Sequence, residues 1–170
     1  MRVGTDALIA IRPLRESDRE PIGRLLVATD VFSDEEVAVA LELIDVVLHT
    51  PGQRDYIIST AEEDDGNVVG YYCIGPTPMT RGTYDLYWIA VSPEVHDRGI
   101  GRQLLDHAER HISASGGRLV IAETSSQPKY EHTRIFYRKN AYEEVARIKD
   151  YYKENDDLVV FGKYVSQIGR

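Results

Sequence analysis

The chain has 170 residues, of which 42% are hydrophobic and 28% are charged, and its formal net charge at pH 7 is −8. Length and composition predict one globular domain over residues 1–170, and the acidic balance argues against broad nucleic-acid binding, which needs a basic surface. The sequence shows no membrane-spanning run and no signal peptide, and a single cysteine, Cys73, excludes an internal disulfide. We therefore expect a cytoplasmic protein that binds neither membranes nor nucleic acids.

The first half of the chain predicts a strand, two helices and a hairpin. Each helix begins with a capping-box sequence, Ser17-Asp18-Arg19-Glu20 and Ser33-Asp34-Glu35-Glu36, and the second helix stops at Pro51-Gly52. The acidic turn at residues 63–67 contains an Asp-Gly pair, which favours an antiparallel hairpin between the strands on either side. The predicted strands of this half cover residues 8–12, 55–61 and 68–74.

The second half is organised around residues 84–102. Residues 84–91 are rich in aromatic and β-branched side chains, which predicts a buried strand that ends at Ser92-Pro93. A helix over residues 101–114 ends at Gly116-Gly117, and Asn140 is the expected left-handed terminator of a later helix. The remaining elements are a strand at 119–124, that helix at 131–139, and a closing pair of strands at 142–152 and 158–165.

The segment His96-Asp97-Arg98-Gly99-Ile100-Gly101 has the features of an anion site. Its two glycines let backbone N–H groups approach a ligand, and the N-terminus of the following helix adds roughly half a positive charge. The guanidinium groups of Arg98 and Arg102 can pair with phosphate oxygens. Residues 1–97 have a net charge of −11, whereas residues 98–139 have +4. This split suits an anionic ligand at the loop and a cationic partner on the acidic side.

The strand, this loop and the following helix resemble the GNAT superfamily of acyl-CoA N-acyltransferases, whose signature is Arg/Gln-x-x-Gly-x-Gly/Ala. His96 stands at the first signature position here. The element order is also that of GNAT domains, which implies an α/β fold with a mixed, twisted sheet splayed between strands 4 and 5 and flanked by helices. The resemblance implies acetyl-CoA as co-substrate, with its pantetheine paired to Ile89, Ala90 and Val91. Its pyrophosphate would lie against His96, Asp97, Arg98, Gly99, Ile100, Gly101 and Arg102.

The resemblance also implies a proton donor. Phe136-Tyr137 matches the aromatic pair of the family's FY-x-x-x-GF pattern, with Ala141 in place of the glycine. In the family this tyrosine gives a proton to the leaving thiolate, and a phenol with a pKa near ~10 is protonated at neutral pH. An asparagine that bonds the cofactor arm seven residues earlier in the family is Tyr130 here.

The candidate base is Glu123, at the end of the fifth strand. It matches the glutamate of LEV-type strands in ribosomal-protein alanine acetyltransferases, the branch of the family nearest in pattern, which deprotonate an N-terminal amine through water. Asp85 and Glu94 are the alternatives. At pH 7, deprotonating a lysine amine costs about 4.6 kcal/mol and an α-amine only about 1.4 kcal/mol, so one carboxylate suits an α-amine or small amine better.

These features predict an N-acetyltransferase that moves an acetyl group to a primary amine by direct attack. The acceptor is a peptide or protein α-amine or a small amine. By the resemblance, its pocket is made by the loop at residues 29–34, the loop at residues 75–82 and the Tyr151-Tyr152 turn. One alternative is an acetyltransferase of an antibiotic, polyamine or amino acid, and another is a non-catalytic acyl-CoA sensor. His107 and His111 lack the glutamate of the zinc-protease pattern, so we expect no metal. A homodimer is left open.

Overall fold

Seven strands and four α-helices make up the part of the chain that the computed structural model describes, residues 8–165. The strands are β1 (Ala10–Pro13), β2 (Ile57–Glu62), β3 (Val68–Pro76), β4 (Thr83–Val91), β5 (Leu119–Ser125), β6 (Glu143–Lys153) and β7 (Asp156–Tyr164). The helices are α1 (Arg19–Ala28), α2 (Asp34–His49), α3 (Ile100–Ala114) and α4 (Glu131–Lys139). The strands form one sheet in the order β1-β2-β3-β4-β5-β7-β6, with β4 and β5 parallel. The predicted α/β fold with a mixed sheet is confirmed.

The described chain divides into two compact units. The first contains residues 8–53, Ile57–Cys73 and Trp88–Leu105, and the second contains Arg54–Tyr56, Ile74–Tyr87 and residues 106–165. Within residues 8–165, none of the helices is both long enough and apolar enough to cross a membrane.

The beginning of α1 differs from the prediction, whereas that of α2 agrees with it. Ser33 Oγ accepts from the backbone N–H of Glu36 at 3.2 Å, and Glu36 Oε2 accepts from the N–H of Ser33 at 2.7 Å, which is the predicted capping box. Ser17 does not cap α1, because it lies inside a 3-10 turn over Glu16–Asp18 that precedes the helix. Asp18 closes that turn by accepting from the N–H of Arg15 at 2.7 Å.

A buried ion cluster in the first unit explains why Asp18 is held there. The Arg12 guanidinium donates to both carboxylate oxygens of Asp18, at 2.7 and 2.9 Å, and to Thr60 Oγ1 at 2.8 Å. It also donates to Glu62 Oε2 at 2.5 Å. The Asp18 side chain is only 2% exposed, so its charge depends on this partner.

The pKa values of both carboxylates follow from the cluster. Burial raises the pKa of Asp18, but the hydrogen bonds from Arg12 and from the Arg15 backbone, with the charge of Arg12, outweigh burial and lower it overall. The hydrogen bond from Arg12 lowers the pKa of Glu62. An acid with a lowered pKa in the folded state stabilises the fold above its unfolded pKa, and that stabilisation is lost as the pH falls through the folded value.

Replacing Arg12 by leucine should lower the free energy of unfolding by about 3–5 kcal/mol, because it leaves the Asp18 charge buried without its partner. Chemical denaturation at pH 7 measures the loss. Arg15→Leu is the control, since Arg15 is 61% exposed and its contact with Glu62 is 3.7 Å long, and it should cost less than about 1 kcal/mol. The wild type should also lose stability below about pH 4, and Arg12→Leu should show a weaker loss there. An equal loss of unfolding free energy in the two variants would show that the ion cluster around Arg12 does not stabilise the fold.

The end of α4 corrects a second prediction. Asn140 has φ −102° and is not left-handed, whereas the next residue, Ala141, has φ +65°. The side chain of Asn140 instead donates to the carbonyl of Phe136 at 2.8 Å, and the N–H of Tyr142 returns to the carbonyl of Tyr137 at 3.0 Å. The left-handed position therefore falls on the residue that replaces the family's glycine. The predicted left-handed end of α3 is confirmed at Gly116, with φ +82°.

Ala141→Gly should raise the free energy of unfolding by about 0.5–1 kcal/mol. The change relieves about 1–2 kcal/mol of left-handed strain and loses about 0.5–1 kcal/mol of backbone entropy. Thermal and denaturant unfolding measure the difference. Ala114→Gly, at the last residue of α3, is the control and should destabilise by about 0.5–1 kcal/mol. A loss at both positions would show that Ala141 is not strained.

Candidate active site

The loop between β4 and α3 lies in the first unit and is here called the phosphate loop, residues 96–102. The N–H of Ser92 donates to the carbonyl of Val69 at 2.8 Å, which fixes the end of β4 against β3. A 3-10 turn over Pro93–Val95 follows. Asp97 and Gly99 then both have left-handed backbones, with φ +68° and +72°, and α3 begins at Ile100. These two left-handed residues connect the 3-10 turn to the first residue of α3.

The residues present fit a phosphate group. A Cβ placed on Gly99 would meet no protein atom within 4 Å, so a ligand can approach the backbone there. The first N–H groups of any helix lack partners inside the helix, and those of α3 follow directly. The Arg98 side chain points elsewhere, because its Nη1 donates to Glu63 Oε1 at 2.5 Å. His96 and Arg102 are exposed.

Ile89, Ala90 and Val91 form the end of β4 in the same unit. Ala90 is buried, and the other two are half-buried. A Cβ on Gly70 would lie 2.9 Å from Leu104 Cδ1 and 3.0 Å from the carbonyl oxygen of Ala90. Glycine at position 70 therefore lets β3, β4 and the first turns of α3 pack closely, which fixes where the phosphate loop begins and ends.

Gly99→Val should weaken coenzyme A binding about tenfold or more, a loss of at least ~1.4 kcal/mol, because the added side chain occupies the open space beside the loop. Isothermal titration calorimetry with coenzyme A measures the change. Gly52→Val is the matched control, since Gly52 also has a left-handed backbone, φ +75°, and open space around its Cβ. It brings a similar backbone strain and should leave affinity unchanged. Equal weakening in both variants would place the phosphate site elsewhere.

The second unit brings two carboxylates to one face of the sheet. The parallel ladder between β4 and β5 runs from Thr83↔Leu119 to Asp85↔Ile121. Paired residues share a face and side chains alternate along a strand, so Asp85, Ile121 and Glu123 lie on the same face. We call Thr77, Asp85, Tyr87 and Glu123 the carboxylate site.

Hydrogen bonds distinguish the two carboxylates. Thr77 Oγ1 donates to Asp85 Oδ2 at 2.7 Å, and the Tyr87 hydroxyl donates to the same oxygen at 3.5 Å. Burial, and then the negative charge of Asp85, raise the pKa of Glu123. Glu123 is therefore the carboxylate whose proton affinity is raised. The third candidate base, Glu94, lies in the 3-10 turn of the first unit and is exposed.

Sequence reasoning missed Thr77 and Tyr87. Thr77 falls inside the segment 75–82 that was expected to line the acceptor pocket, but its residue type alone gave no role. Tyr87 is two positions beyond Asp85 and so shares its face. Its ring packs edge-on against Tyr56, with ring centres 5.4 Å apart. Of the other residues expected at the acceptor, Tyr151 and Tyr152 lie within β6 and not in a turn, because that strand extends to Lys153.

Tyr137 lies on α4 in an aromatic cluster of the second unit. It is buried, and its ring centre lies 5.7, 5.5 and 5.4 Å from those of Phe136, Tyr142 and Phe161. Burial raises the pKa of its phenol, so the group is protonated at neutral pH. Tyr130, at the position of the family's asparagine, is also buried, with Lys129 Nζ 4.9 Å from its ring centre.

The pKa values of Cys73 and His107, two other side chains of reactive type, follow mainly from their burial. Cys73 is buried in β3, and burial raises the pKa of its thiol to about 12, so it is not a thiolate at neutral pH. Burial, with the charges of Arg110 and His111, lowers the pKa of His107. Among residues 8–165 there is no cluster of three or more side chains suited to a metal ion.

Comparisons with known proteins identify the class to which this fold and these groups belong. The family model described as an acetyltransferase (GNAT) domain matches residues 54–144. A protein from Desulfovibrio desulfuricans assigned to the GNAT acetyltransferases is 39% identical in sequence, with a TM-score of 0.88 over 94% of this chain and 100% of that chain. The chain belongs to the GNAT family of acetyltransferases. It is therefore an acetyl-CoA-dependent N-acetyltransferase.

Two more distant structures share the fold. The ribosomal-protein-S18-alanine N-acetyltransferase from Escherichia coli is 17% identical, with a TM-score of 0.73 over 96% of this chain and 97% of its own. An aminoglycoside 6′-N-acetyltransferase complexed with coenzyme A is 17% identical, with a TM-score of 0.72 over 95% of this chain and 98% of its own. A comparison with curated protein sequences returns no match.

Proposed function

We propose that this enzyme transfers an acetyl group from acetyl-CoA directly to a primary amine, with Glu123 as the base and Tyr137 as the acid. The observation that carries the proposal is the carboxylate site, in which one carboxylate is held by two hydroxyl donors and the other has a raised pKa. Catalytic sites often contain two titratable groups whose surroundings differ, so that each group has its own role. The proposal takes the whole chain as one catalytic domain that works in the cytoplasm.

The first unit supplies the residues proposed to hold the co-substrate. Backbone N–H groups of the phosphate loop bind the pyrophosphate, and the end of β4 at Ile89, Ala90 and Val91 pairs with the amides of pantetheine. Strand addition of this kind satisfies main-chain groups without a special side chain. Acetyl-CoA supplies the acetyl group as a thioester, which an amine attacks without an enzyme-bound acetyl group. The burial of Cys73 supports direct transfer, because its thiol is kept protonated.

Glu123 is the better base of the two carboxylates on this face. Asp85 already accepts hydrogen bonds from Thr77 and Tyr87, so its Oδ2 is engaged by the protein. The pKa of Glu123 is raised by burial and by Asp85, which brings it closer to that of an amine and favours proton transfer. Glu123 accepts one proton from the amine, which leaves nitrogen with an electron pair for attack on the thioester.

Tyr137 is proposed to protonate the sulfur as the C–S bond breaks. A phenol is protonated at neutral pH without any shift, and burial raises the pKa of Tyr137 further. The aromatic cluster around it limits the rotation of its ring, so the hydroxyl has a fixed direction. The products are an N-acetyl amide and the free thiol of coenzyme A.

The proposed acceptor is a peptide or protein α-amine or a small amine. An α-amine needs about 3 kcal/mol less than lysine to be neutral at pH 7, which one carboxylate base can supply. The acceptors named for two structural relatives, a ribosomal-protein alanine and an aminoglycoside, also carry primary amines. An antibiotic, polyamine or amino acid is the second candidate, favoured by the two acidic groups of the carboxylate site, which attract a cationic amine. A pure acyl-CoA sensor would need neither Glu123 nor Tyr137.

Tyr137→Phe and Glu123→Gln should each lower kcat by roughly 10²–10⁴-fold, because each removes one proton-transfer group. Release of the coenzyme A thiol, measured with a panel of peptide N-termini, polyamines, amino acids and aminoglycosides, gives the rates and identifies the acceptor. Tyr142→Phe is the matched control, since it removes a hydroxyl from the same aromatic cluster and should leave kcat within about threefold.

Three outcomes of this panel contradict parts of the proposal. Unchanged kcat in Tyr137→Phe would remove that phenol from the reaction. Tight coenzyme A binding without turnover of any amine would favour the sensor. Turnover of polyamines without turnover of peptides would exclude the α-amine acceptor in favour of the small-molecule one.

A further inference from the structure

We propose that Thr77 and Asp85 form an ammonium-binding subsite, which holds the acceptor amine in its protonated form before Glu123 removes a proton. The proposal rests on the function proposed above, because Glu123 is the base there. It assigns a ligand class, a primary aliphatic ammonium ion, and it gives Thr77 the role of a positioning residue that acts through Asp85.

Thr77 is fixed on both sides by its own loop. Its N–H donates to the carbonyl of Thr83 at 2.9 Å, and its carbonyl accepts from Thr80 Oγ1 at 2.8 Å and from the Thr80 N–H at 3.3 Å. With both backbone groups engaged, its side chain has a defined direction. That direction leads to Asp85 Oδ2, at 2.7 Å.

The two hydroxyl donors to Asp85 share one carboxylate oxygen. Thr77 and Tyr87 both donate to Oδ2, so Oδ1 is the oxygen that an ammonium N–H would reach. The side chain is half-buried, which strengthens a charge-assisted hydrogen bond compared with full exposure. Asp85 is also in the last pair of the β4–β5 ladder, so the backbone that carries it is held by the sheet.

The surroundings of Glu123 make a cation the complementary ligand. On β7, the residue directly paired with Glu123 is Val160, which carries no charge. At the far end of β5, Arg134 donates to the carbonyls of Ser125 and Gln127, and Asp156 accepts from Ser125 Oγ. On β4, the titratable groups on the face of Glu123 are Asp85 and Tyr87. Asp85 is the charge that acts on the pKa of Glu123.

An ammonium ion between the two carboxylates would offset their repulsion, and the Tyr87 ring adds a surface that attracts cations. Deprotonation then moves one N–H proton to Glu123 and leaves the electron pair on nitrogen for attack on the thioester. After the N–C bond forms, a second proton leaves nitrogen and replaces the one that Tyr137 gives to the sulfur, so the products are the amide, the thiol and a protonated Glu123. The resulting Glu123 is neutral beside the Asp85 carboxylate. An arylamine that is uncharged at pH 7 lacks the charge that this subsite requires.

Binding without turnover tests the subsite first. The pKa of Glu123 is followed by NMR of ¹³C-labelled glutamate carboxyl groups, with its signal assigned by Glu123→Gln. Butylammonium chloride should lower this pKa, whereas aniline, and sodium chloride at equal ionic strength, should not. Asp85→Asn should lower the pKa without any ligand and weaken butylammonium binding about 10- to 100-fold. A Glu123 pKa unchanged by Asp85→Asn or by butylammonium would overturn the proposal.

The role of Thr77 is tested by a matched series. Thr77→Val removes the hydroxyl at nearly constant volume and should weaken butylammonium binding about threefold to tenfold, and Thr77→Ser should restore it. Thr80→Val controls for loosening of the loop, because its hydroxyl donates to backbone carbonyls and not to Asp85. Weakening by Thr80→Val equal to that by Thr77→Val, or no rescue by serine, would exclude the positioning role.

Kinetics separate this proposal from the function on which it rests. With an amine that the acceptor panel identifies, Asp85→Asn should raise the KM of the amine about 10- to 100-fold and leave the KM of acetyl-CoA unchanged. Glu123→Gln should act on kcat. If no amine is turned over, the proposed function fails and the NMR result decides the subsite alone. If Glu123→Gln slows turnover while Asp85→Asn leaves the KM of the amine unchanged, only the subsite fails.

Discussion

The last pair of the parallel ladder, Asp85↔Ile121, is the constraint on which the carboxylate site depends. β4 continues for six residues and β5 for four beyond that pair. Because side chains alternate along β5, Glu123, two residues beyond Ile121, lies on the same face of the sheet as Asp85. β5 is held over its whole length by β7, from Leu119↔Tyr164 to Ser125↔Leu158, so Glu123 stands on a rigid strand although it is exposed. The sheet thus holds the two carboxylates on one face, although their like charges repel each other.

The phosphate loop depends on a different constraint, the close packing of glycine with neighbouring backbone. Gly70 lets β3 pack against the carbonyl of Ala90 and the side chain of Leu104. This packing fixes the end of β4 and the start of α3, which the phosphate loop connects. Two left-handed residues, Asp97 and Gly99, make the connection. Asp97 is of a type that tolerates this conformation, and Gly99 has no Cβ to strain. If the loop binds phosphate as proposed, its fixed ends and reversals reduce the entropy lost on binding, so backbone N–H groups can supply much of the affinity.

The sequence predicted what depends on local pattern and missed what depends on distant partners. The order of all seven strands and four helices, the α2 cap and the end of α3 follow from periodicity, capping residues and glycine. The start of α1 did not, because Asp18 is held by Arg12 and Thr60, the latter 42 positions away. Asn140 was expected to be left-handed on residue type, but its side chain satisfies the Phe136 carbonyl, and the reversal falls on Ala141. Glu123 and Asp85 could not be ranked as bases, because burial and hydrogen-bond partners decide between them.

The two carboxylates also bear on which amines suit the enzyme. A base with a raised pKa is better matched to an ammonium ion, but less of it is ionised at neutral pH, so the raising of the pKa helps only while Glu123 is mostly a carboxylate. In the proposed mechanism, an ammonium ion bound at Asp85 resolves this conflict, because its positive charge favours the ionised form of Glu123 until the proton is transferred. For an α-amine near pKa ~8, the remaining gap is small, and for lysine near ~10.4 it is about 3 kcal/mol larger. We therefore expect the proposed site to favour amines of low basicity that are still charged at pH 7, which is the range of peptide α-amines.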